Sequence, residues 1–397
     1  MIHKKWFKQQ VLALVAVAAV VVGVSADQGG GDSPDLISPF LFTGRGAFTS
    51  GFGLQGIKGG DTEGTFIITG TSHVNGVVYS GPVNHGFTTR GSGTGKWYVM
   101  NVPESFNASS TSIYGVDNLG GGDVNLVGSY VSNEPGSPSP ITPSPRIGFY
   151  YAGILTDTPS SDDFLSYQGR NLRTGRLADF TYIHSISGGL AVGNYGFQTE
   201  GNPFGHAFVY DPSKVQPQTD VAFPDADKTH TAYGIWYNGG TSYTIAGGVG
   251  IPSASMNYGD PFGLAYLMDY DSAAGTFTNY QTFSYKPKGP DKQDFKGKTI
   301  LTHFEGIWSD GNGLYRLPAT ASTTDGVSKA KIAQVQRKSN GSFDSKATWS
   351  SIDITGASVS TNDSLFADTS VGLVTYPRIE GVSDAIVTTY ALTPIKN

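Results

Sequence analysis

Five polar or amphipathic residues, Gln55, Tyr114, His184, Tyr233 and Glu305, occupy the same place in five copies of one short phrase, and they are the first candidates for a shared site. If the copies surround an axis, an amide, two phenols, an imidazole and a carboxylate would line one pocket and could bind a ligand there. The plainer alternative is that they hydrogen-bond between units or sit in loops. Trp236 and Trp308, with Tyr237 and Tyr243, fall near loop positions. Aromatic faces in loops stack on sugar rings or anchor a protein partner, and more ordinarily cap a core.

Other constellations carry less. His184, His230 and His303 lie within or just before the phrase but at different offsets, so they would not share a centre. His85 and His206 share a register, which a hydrogen-bonded histidine at a strand start explains more simply than zinc. Asp225-Ala226-Asp227 and Ser309-Asp310-Gly311-Asn312-Gly313 are oxygen-rich enough for calcium, yet neither has the EF-hand length or a closing Glu, and turns select the same residues. No Gly-x-Ser-x-Gly elbow stands between a strand and a helix. Gly91-Ser92-Gly93-Thr94-Gly95 and Gly120-Gly121-Gly122 lack the Lys-Ser/Thr that a phosphate loop needs. No catalytic residue, metal or cofactor is expected from these patterns.

The elements that would position the five residues recur at intervals of roughly sixty residues. The phrase reads Gly53-Leu54-Gln55-Gly56-Ile57, Ser112-Ile113-Tyr114-Gly115-Val116, Tyr182-Ile183-His184-Ser185-Ile186, Thr231-Ala232-Tyr233-Gly234-Ile235 and His303-Phe304-Glu305-Gly306-Ile307. A second phrase follows (Ile68-Thr69-Gly70, Val127-Gly128, Val192-Gly193, Ile245-Ala246-Gly247), then a third (His85-Gly86-Phe87, Ile147-Gly148-Phe149, His206-Ala207-Phe208, Leu264-Ala265-Tyr266, Ile332-Ala333-Gln334). A fourth β-run closes several units, clearest at Lys96-Trp97-Tyr98-Val99 and Thr348-Trp349-Ser350-Ser351.

Four short strands per unit predict an all-β chain built as a β-propeller, each blade packing on the next. Five units align directly. The tail supplies a degraded sixth, with Leu365-Phe366-Ala367 as its first run and no fourth strand of its own. Pro39-Phe40-Leu41-Phe42-Thr43 has no sheet of its own either, so pairing the two ends would close a six-bladed ring over residues 36–397. Within the first phrase, alternation sends the second and fifth residues to opposite buried faces. The Gly or Ser between them permits a bulge or close backbone approach.

Composition sets the compartment and excludes some partners. Lys4, Lys5 and Lys8 precede an apolar run from Val11 to Val22, and Val24-Ser25-Ala26 has cleavage spacing, which predicts a signal peptide over 1–26 and export to the periplasm, cell surface or medium. The apolar run is too short for a membrane anchor. Residues 27–35 read as a flexible polar leader. Of 26 basic residues the leader peptide removes three, leaving 23 against 32 acidic residues and no basic cluster, so nucleic acid is not an expected partner. Cysteine is absent, which excludes thiolate nucleophiles and Cys-ligated zinc. With 54 Gly, 21 Tyr and 22 Phe and only 15% charged residues, the chain reads as a Gly-punctuated aromatic β protein.

The run Trp97-Tyr98-Val99-Met100-Asn101-Val102-Pro103, then Tyr114-Gly115-Val116-Asp117-Asn118, then Val124-Asn125-Leu126-Val127-Gly128-Ser129-Tyr130 resembles the HAF-type extracellular repeats of bacterial secreted proteins. The likeness is close in the second unit, around 97–153, and looser elsewhere. Asp117-Asn118 gives way to Lys58-Gly59, Ser187-Gly188, Trp236-Tyr237 and Trp308-Ser309 in the other units. The resemblance implies a secreted, propeller-like β fold and carries over no functional residues.

The sequence reading is therefore an exported, monomeric propeller that binds a glycan or a surface protein without cofactor. A glycan-active hydrolase or lyase using acids near the channel is the first alternative. An outer-membrane β-barrel is the second, although its strands alternate over about ten residues and these are shorter.

Overall fold

Each phrase begins inside a strand that opens one to four residues earlier, as in Phe52–Gly59 and Ala108–Gly120. The computed structural model describes residues 40–42, 52–83, 95–133, 145–197, 205–224, 229–250, 263–289, 291–323, 325–352, 357–376 and 386–392. The proposed signal peptide and leader, His85, Asp225-Ala226-Asp227 and Gly91 to Gly95 except the last residue lie outside them. The chain is nearly all β, 62% strand and 4% helix, in curled mixed sheets. Among the described residues the α-helical turn Asp291–Asp294 is too short to contradict the absence of helical periodicity.

Strands follow one another as antiparallel meanders. The first unit comprises Phe52–Gly59, Thr65–Ser72, Asn75–Pro82 and Lys96–Val99. The second comprises Ala108–Gly120, Asp123–Ser132, Arg146–Ile154 and Phe164–Tyr167. Phe180–Ser187, Leu190–Gly196, His206–Tyr210 and Gln218–Asp220 form the third. His230–Gly239, Ser242–Gly250, Gly263–Asp271 and Thr276–Phe283 form the fourth. In the fifth the first strand is broken into Ile300–Phe304 and Trp308–Ser309, followed by Leu314–Thr323, Ser328–Gln336 and Thr348–Ser351.

The tail forms Val359–Ser360 and Ser364–Phe366, then Thr369–Tyr376 and Ile386–Leu392. Phe40–Phe42 pairs antiparallel with Ile386–Leu392, so the two ends of the chain share a sheet. Parallel bridges at Phe180–Arg146, Gly263–Leu301 and Ser328–Val359 tie a unit's first strand to the third strand of the unit before it. These bridges are what merge the meanders into mixed sheets.

The apolar clusters lie between units, because an inner strand exposes neither face to water. Ile67 and Val78 of the first unit pack with Ile113, Val116 and Phe149 of the second. Val127 of the second packs with Ile183, Ala191 and Phe208 of the third, and Val192 and Val209 of the third with Ala232, Ile245 and Tyr266 of the fourth. Ala246 and Leu267 meet Phe304 and Leu317, Ala330 and Ile332 meet Leu365 and Val374, and Val371 of the tail meets Leu54, Ile68 and Val77 of the first unit. Each fully buried Ile or Leu in such a cluster contributes about 1.5–3 kcal/mol.

Polar clamps reinforce two of these joints. Arg337 of the fifth unit donates to both carboxylate oxygens of Asp269 in the fourth, at 2.7 Å each, and to Thr244 Oγ1 at 3.0 Å and Tyr315 OH at 2.9 Å. Lys331, with its side chain 1% exposed, pairs with Asp291 and donates to Ser351 Oγ at 2.8 Å. That pair pins the connection after the fourth unit to the fifth.

A bulge recurs at one place in the first strands. Pairing jumps from Leu54 to Gly56, from Ile113 to Gly115, from Ile183 to Ser185 and from Ala232 to Gly234, each time skipping the third residue of the phrase. The fourth residue is glycine because the neighbouring backbone is so close. A Cβ on Gly56 would stand 2.4 Å from the Tyr114 carbonyl oxygen, on Gly115 2.8 Å from that of His184, and on Gly234 2.7 Å from the Gly306 carbonyl carbon. Gly234→Val is therefore expected to lower stability by about 3 kcal/mol through overpacking against backbone. Ser185→Ala, where a side chain is already accommodated, should change it by less than about 1 kcal/mol, both read by urea unfolding.

Candidate functional site

An extra residue on one strand turns its side chain out of the ladder, and here every such side chain turns the same way. Gln55, Tyr114, His184, Tyr233 and Glu305 line one cavity of about 420 Å³, including its open mouth. A sixth residue joins them that the sequence reading missed: Asp363, from Asn362-Asp363-Ser364-Leu365. The tail phrase therefore begins earlier than Leu365-Phe366-Ala367. Ser364 and Leu365 match the fourth and fifth positions, but buried Asn362 replaces the apolar second residue and hides the copy.

The cavity has an aromatic side and an acidic side. The Tyr114 and His184 rings stack with centroids 5.2 Å apart, His184 and Tyr233 at 3.8 Å, and Tyr233 meets His303 edge-on at 4.5 Å. This stack fills part of the passage, so Tyr114, His184 and Tyr233 are spent largely on one another. The Tyr114 hydroxyl is also bonded to Ser129 Oγ at 2.8 Å. Gln55 Oε1 accepts from Thr71 Oγ1 at 3.3 Å.

On the acidic side, His303 Nδ1 lies 3.1 Å from Glu305 Oε2, and His303 Nε2 lies 2.6 Å from Thr231 Oγ1. Burial, and then the Glu305 charge, pushes the Asp363 carboxyl up to about 8 against the weaker pull of Thr361. Burial, and then His303, pushes His184 down to about 3, so it is a neutral ring at physiological pH. Burial and Glu305 also raise the Tyr233 phenol above its ordinary value.

The sixth position of each phrase forms the rim. Lys58 Nζ lies 3.7 Å from Asp117 Oδ1 and 5.0 Å from the centroid of the Trp236 ring. Burial lowers the lysine's proton affinity and Asp117 partly restores it. Trp236 and Trp308 meet edge-on at 6.3 Å, and Trp308 meets Phe366 edge-on at the same separation. Trp236 and Trp308 were expected in loops. They are strand residues, in His230–Gly239 and Trp308–Ser309, and half-buried against the clusters between units. Tyr237 is 40% exposed beside them, whereas Tyr243 is buried with its hydroxyl donating to the Gly188 carbonyl at 2.9 Å.

The remaining candidates disperse. His230 is buried and stacked on Phe223 at 3.6 Å, away from the cavity, and His206 stacks on Tyr195 at 4.9 Å. In the Ser309 to Gly313 segment, Asp310 Oδ1 accepts from the Asn312 amide at 2.8 Å and Ser309 Oγ from the Gly311 amide at 3.2 Å. Those bonds are turn chemistry. Among the described residues no group of three or more His, Asp or Glu side chains could hold a metal ion. Compared with known proteins, the chain matches no family model, and no similar curated protein is found.

The Asp363 environment makes a pH dependence. The folded chain holds this proton more tightly than the unfolded chain, so the carboxyl weakens the fold progressively as pH rises from 3.8 to about 8. Asp363→Asn should therefore gain stability over the parent across that window and match it most closely at the acid end. Urea unfolding of both chains at about pH 4, 6 and 8 measures the difference.

Proposed function

We propose that the chain is an exported six-bladed β-propeller of HAF-repeat type that binds a glycan or surface protein at the aromatic mouth of its central cavity. Support for the ring comes from four sources. Consecutive meanders each present one phrase. Clusters join every neighbouring pair, Val371 with Leu54 included. Phe366 and Phe66 meet edge-on at 6.4 Å, where the last unit meets the first. Phe40–Phe42 supplies the tail sheet with its missing strand. Both faces of the inner strands are buried, which favours stacked blades over a lipid-facing cylinder.

The observation that carries the binding reading is the convergence of one bulged polar residue per unit on a single concave site, rimmed by Trp236, Trp308 and Phe366. Bulges that re-aim side chains cost pairing energy and cluster at functional sites. Rigid aromatic rings lose little entropy on contact with a ligand.

A hydrolase is the second reading, favoured by the Glu305 and Asp363 pair. Burial and the neighbouring Glu305 raise the Asp363 carboxyl to about 8, as a general acid beside a second carboxyl group requires.

A screen of the mature chain against glycans and cell-surface proteins tests both. Binding is expected, with Trp236→Ala and Trp308→Ala each weakening it about tenfold or more while the fold is kept. Binding that survives both substitutions overturns the placement of the site. Turnover of a bound glycan that is lost in Glu305→Gln and Asp363→Asn, with binding kept, would favour the hydrolase.

A further inference from the structure

Glu305 and Asp363 share one wall of the cavity, and the charges around them are unequal to the pair. The cation that lines the mouth, Lys58, is matched by Asp117 at 3.7 Å. His303 lies 3.1 Å from Glu305 but without hydrogen-bond alignment at Nδ1. Two carboxylates in a poorly hydrated space repel unless a proton or a cation lies between them.

The rest of the wall says which cation. A divalent metal needs several hard oxygen or nitrogen donors, and among the described residues no such group forms. Instead the lining includes aromatic rings besides His184, of which Trp236 and Trp308 stand at the rim and Tyr114 and Tyr233 stack on His184. Aromatic rings together with a carboxylate form the usual cage for an organic ammonium, whose weak hydration suits such a wall. The chain itself shows the contact, since the Lys58 ammonium lies over the Trp236 ring at 5.0 Å. The rings of Tyr114, His184 and Tyr233 stack on one another, so a head group would rest on the Trp236 and Trp308 side of the lining.

We infer that the cavity takes an ammonium head group, primary or quaternary, with Glu305 and Asp363 as its counter-charges and the Tyr233, Trp236 and Trp308 rings as its walls. This rests on the cavity being the binding site proposed above, and it names the ligand chemistry. A cation entering beside Asp363 displaces the carboxyl's proton, so binding releases a proton and tightens as pH rises. The other titratable groups facing the site are His184, His303, Tyr114, Tyr233, Lys58 and Asp117. His184 stays neutral and the Tyr233 phenol protonated over the relevant range.

Isothermal titration of the full mature chain with tetramethylammonium and n-butylammonium, against n-butanol and potassium chloride, tests the inference. The two arms separate a quaternary from a primary head group, and the controls separate charge from apolar contact and from salt. Saturable binding is expected for at least one ammonium probe and at least tenfold tighter than for n-butanol. Glu305→Gln and Asp363→Asn should each weaken it about tenfold or more, with circular dichroism unchanged. Affinity for tetramethylammonium, whose charge does not titrate, should rise from about pH 6 to about pH 8 in the parent and be flat in Asp363→Asn. Lys58→Met, which removes a cation from the mouth, should tighten binding.

No saturable binding, equal binding of n-butanol, retention in both acid variants, or loss in Lys58→Met would each overturn the inference. If the Trp-dependent binding of a glycan or protein persists without any ammonium preference, the inference fails alone. If ammonium binding persists but is indifferent to Glu305, Asp363, Trp236 and Trp308, the cavity is not the site and both readings fail.

Discussion

Everything about the cavity depends on how closely the first strands of neighbouring units approach one another. At the bulge, one unit's fourth residue lies against the backbone of the next unit's third and fourth residues, closely enough that a Cβ on Gly56, Gly115 or Gly234 would come within 3 Å of it. The second strands repeat the constraint. A Cβ on Gly70 would meet the Gly53 carbonyl oxygen at 2.2 Å, and one on Gly128, Gly193 or Gly247 would meet the facing carbonyl at 2.0 Å. Ser185 and Ser364 show that a small side chain fits where the geometry relaxes. Because the backbones are this close, the second and fifth residues can bury their side chains between units, and the third is left with the cavity as its only exit.

That exit has an electrostatic consequence. In this partly desolvated space His184 loses proton affinity and Asp363 gains it. Burial and then His303 hold His184 neutral, and burial and then Glu305 hold Asp363 protonated up to about pH 8. Charges that serve only the fold are arranged differently. Arg337 and Asp269 meet through two hydrogen bonds, and Lys331 and Asp291 are surrounded by hydroxyl partners, so both pairs are fully used. The polar groups at the cavity are satisfied only in part, and this unevenness separates a candidate site from a clamp.

Much of this organisation was legible in the chain. The second and fifth residues of the phrase are buried, and the Gly or Ser between them does mark a bulge, but that bulge turns both onto one face rather than opposite faces, as Leu54 with Ile57 and Ile113 with Val116 share a cluster. Other features were hidden for identifiable reasons. Asp363 escaped because Asn362 breaks the apolar pattern, although Ser364 and Leu365 keep the rest of it. The fifth unit's first strand stops at Phe304 and resumes at Trp308, with Pro318 facing the gap and its carbonyl bonded to the Glu305 amide at 2.9 Å. Trp236 and Trp308 read as loop aromatics because they follow the phrase directly, yet their strands run on past the bulge. Spacing set His184, His230 and His303 apart, yet His303 comes close enough to His184 to lower its proton affinity, and of the three only His230, stacked on Phe223, lies away from the site.

The sequence alone determined the all-β class, the recurrence of the phrase and the burial of its second and fifth residues. Those follow from short apolar runs and from glycine punctuation, which are local properties. Tertiary structure decided which polar residues share a cavity, that Tyr114, His184 and Tyr233 stack while Glu305 and Asp363 stand side by side, and which charges lack full partners. Distances between units depend on backbone approach and ring packing summed over residues far apart in the chain, and no local pattern encodes such sums.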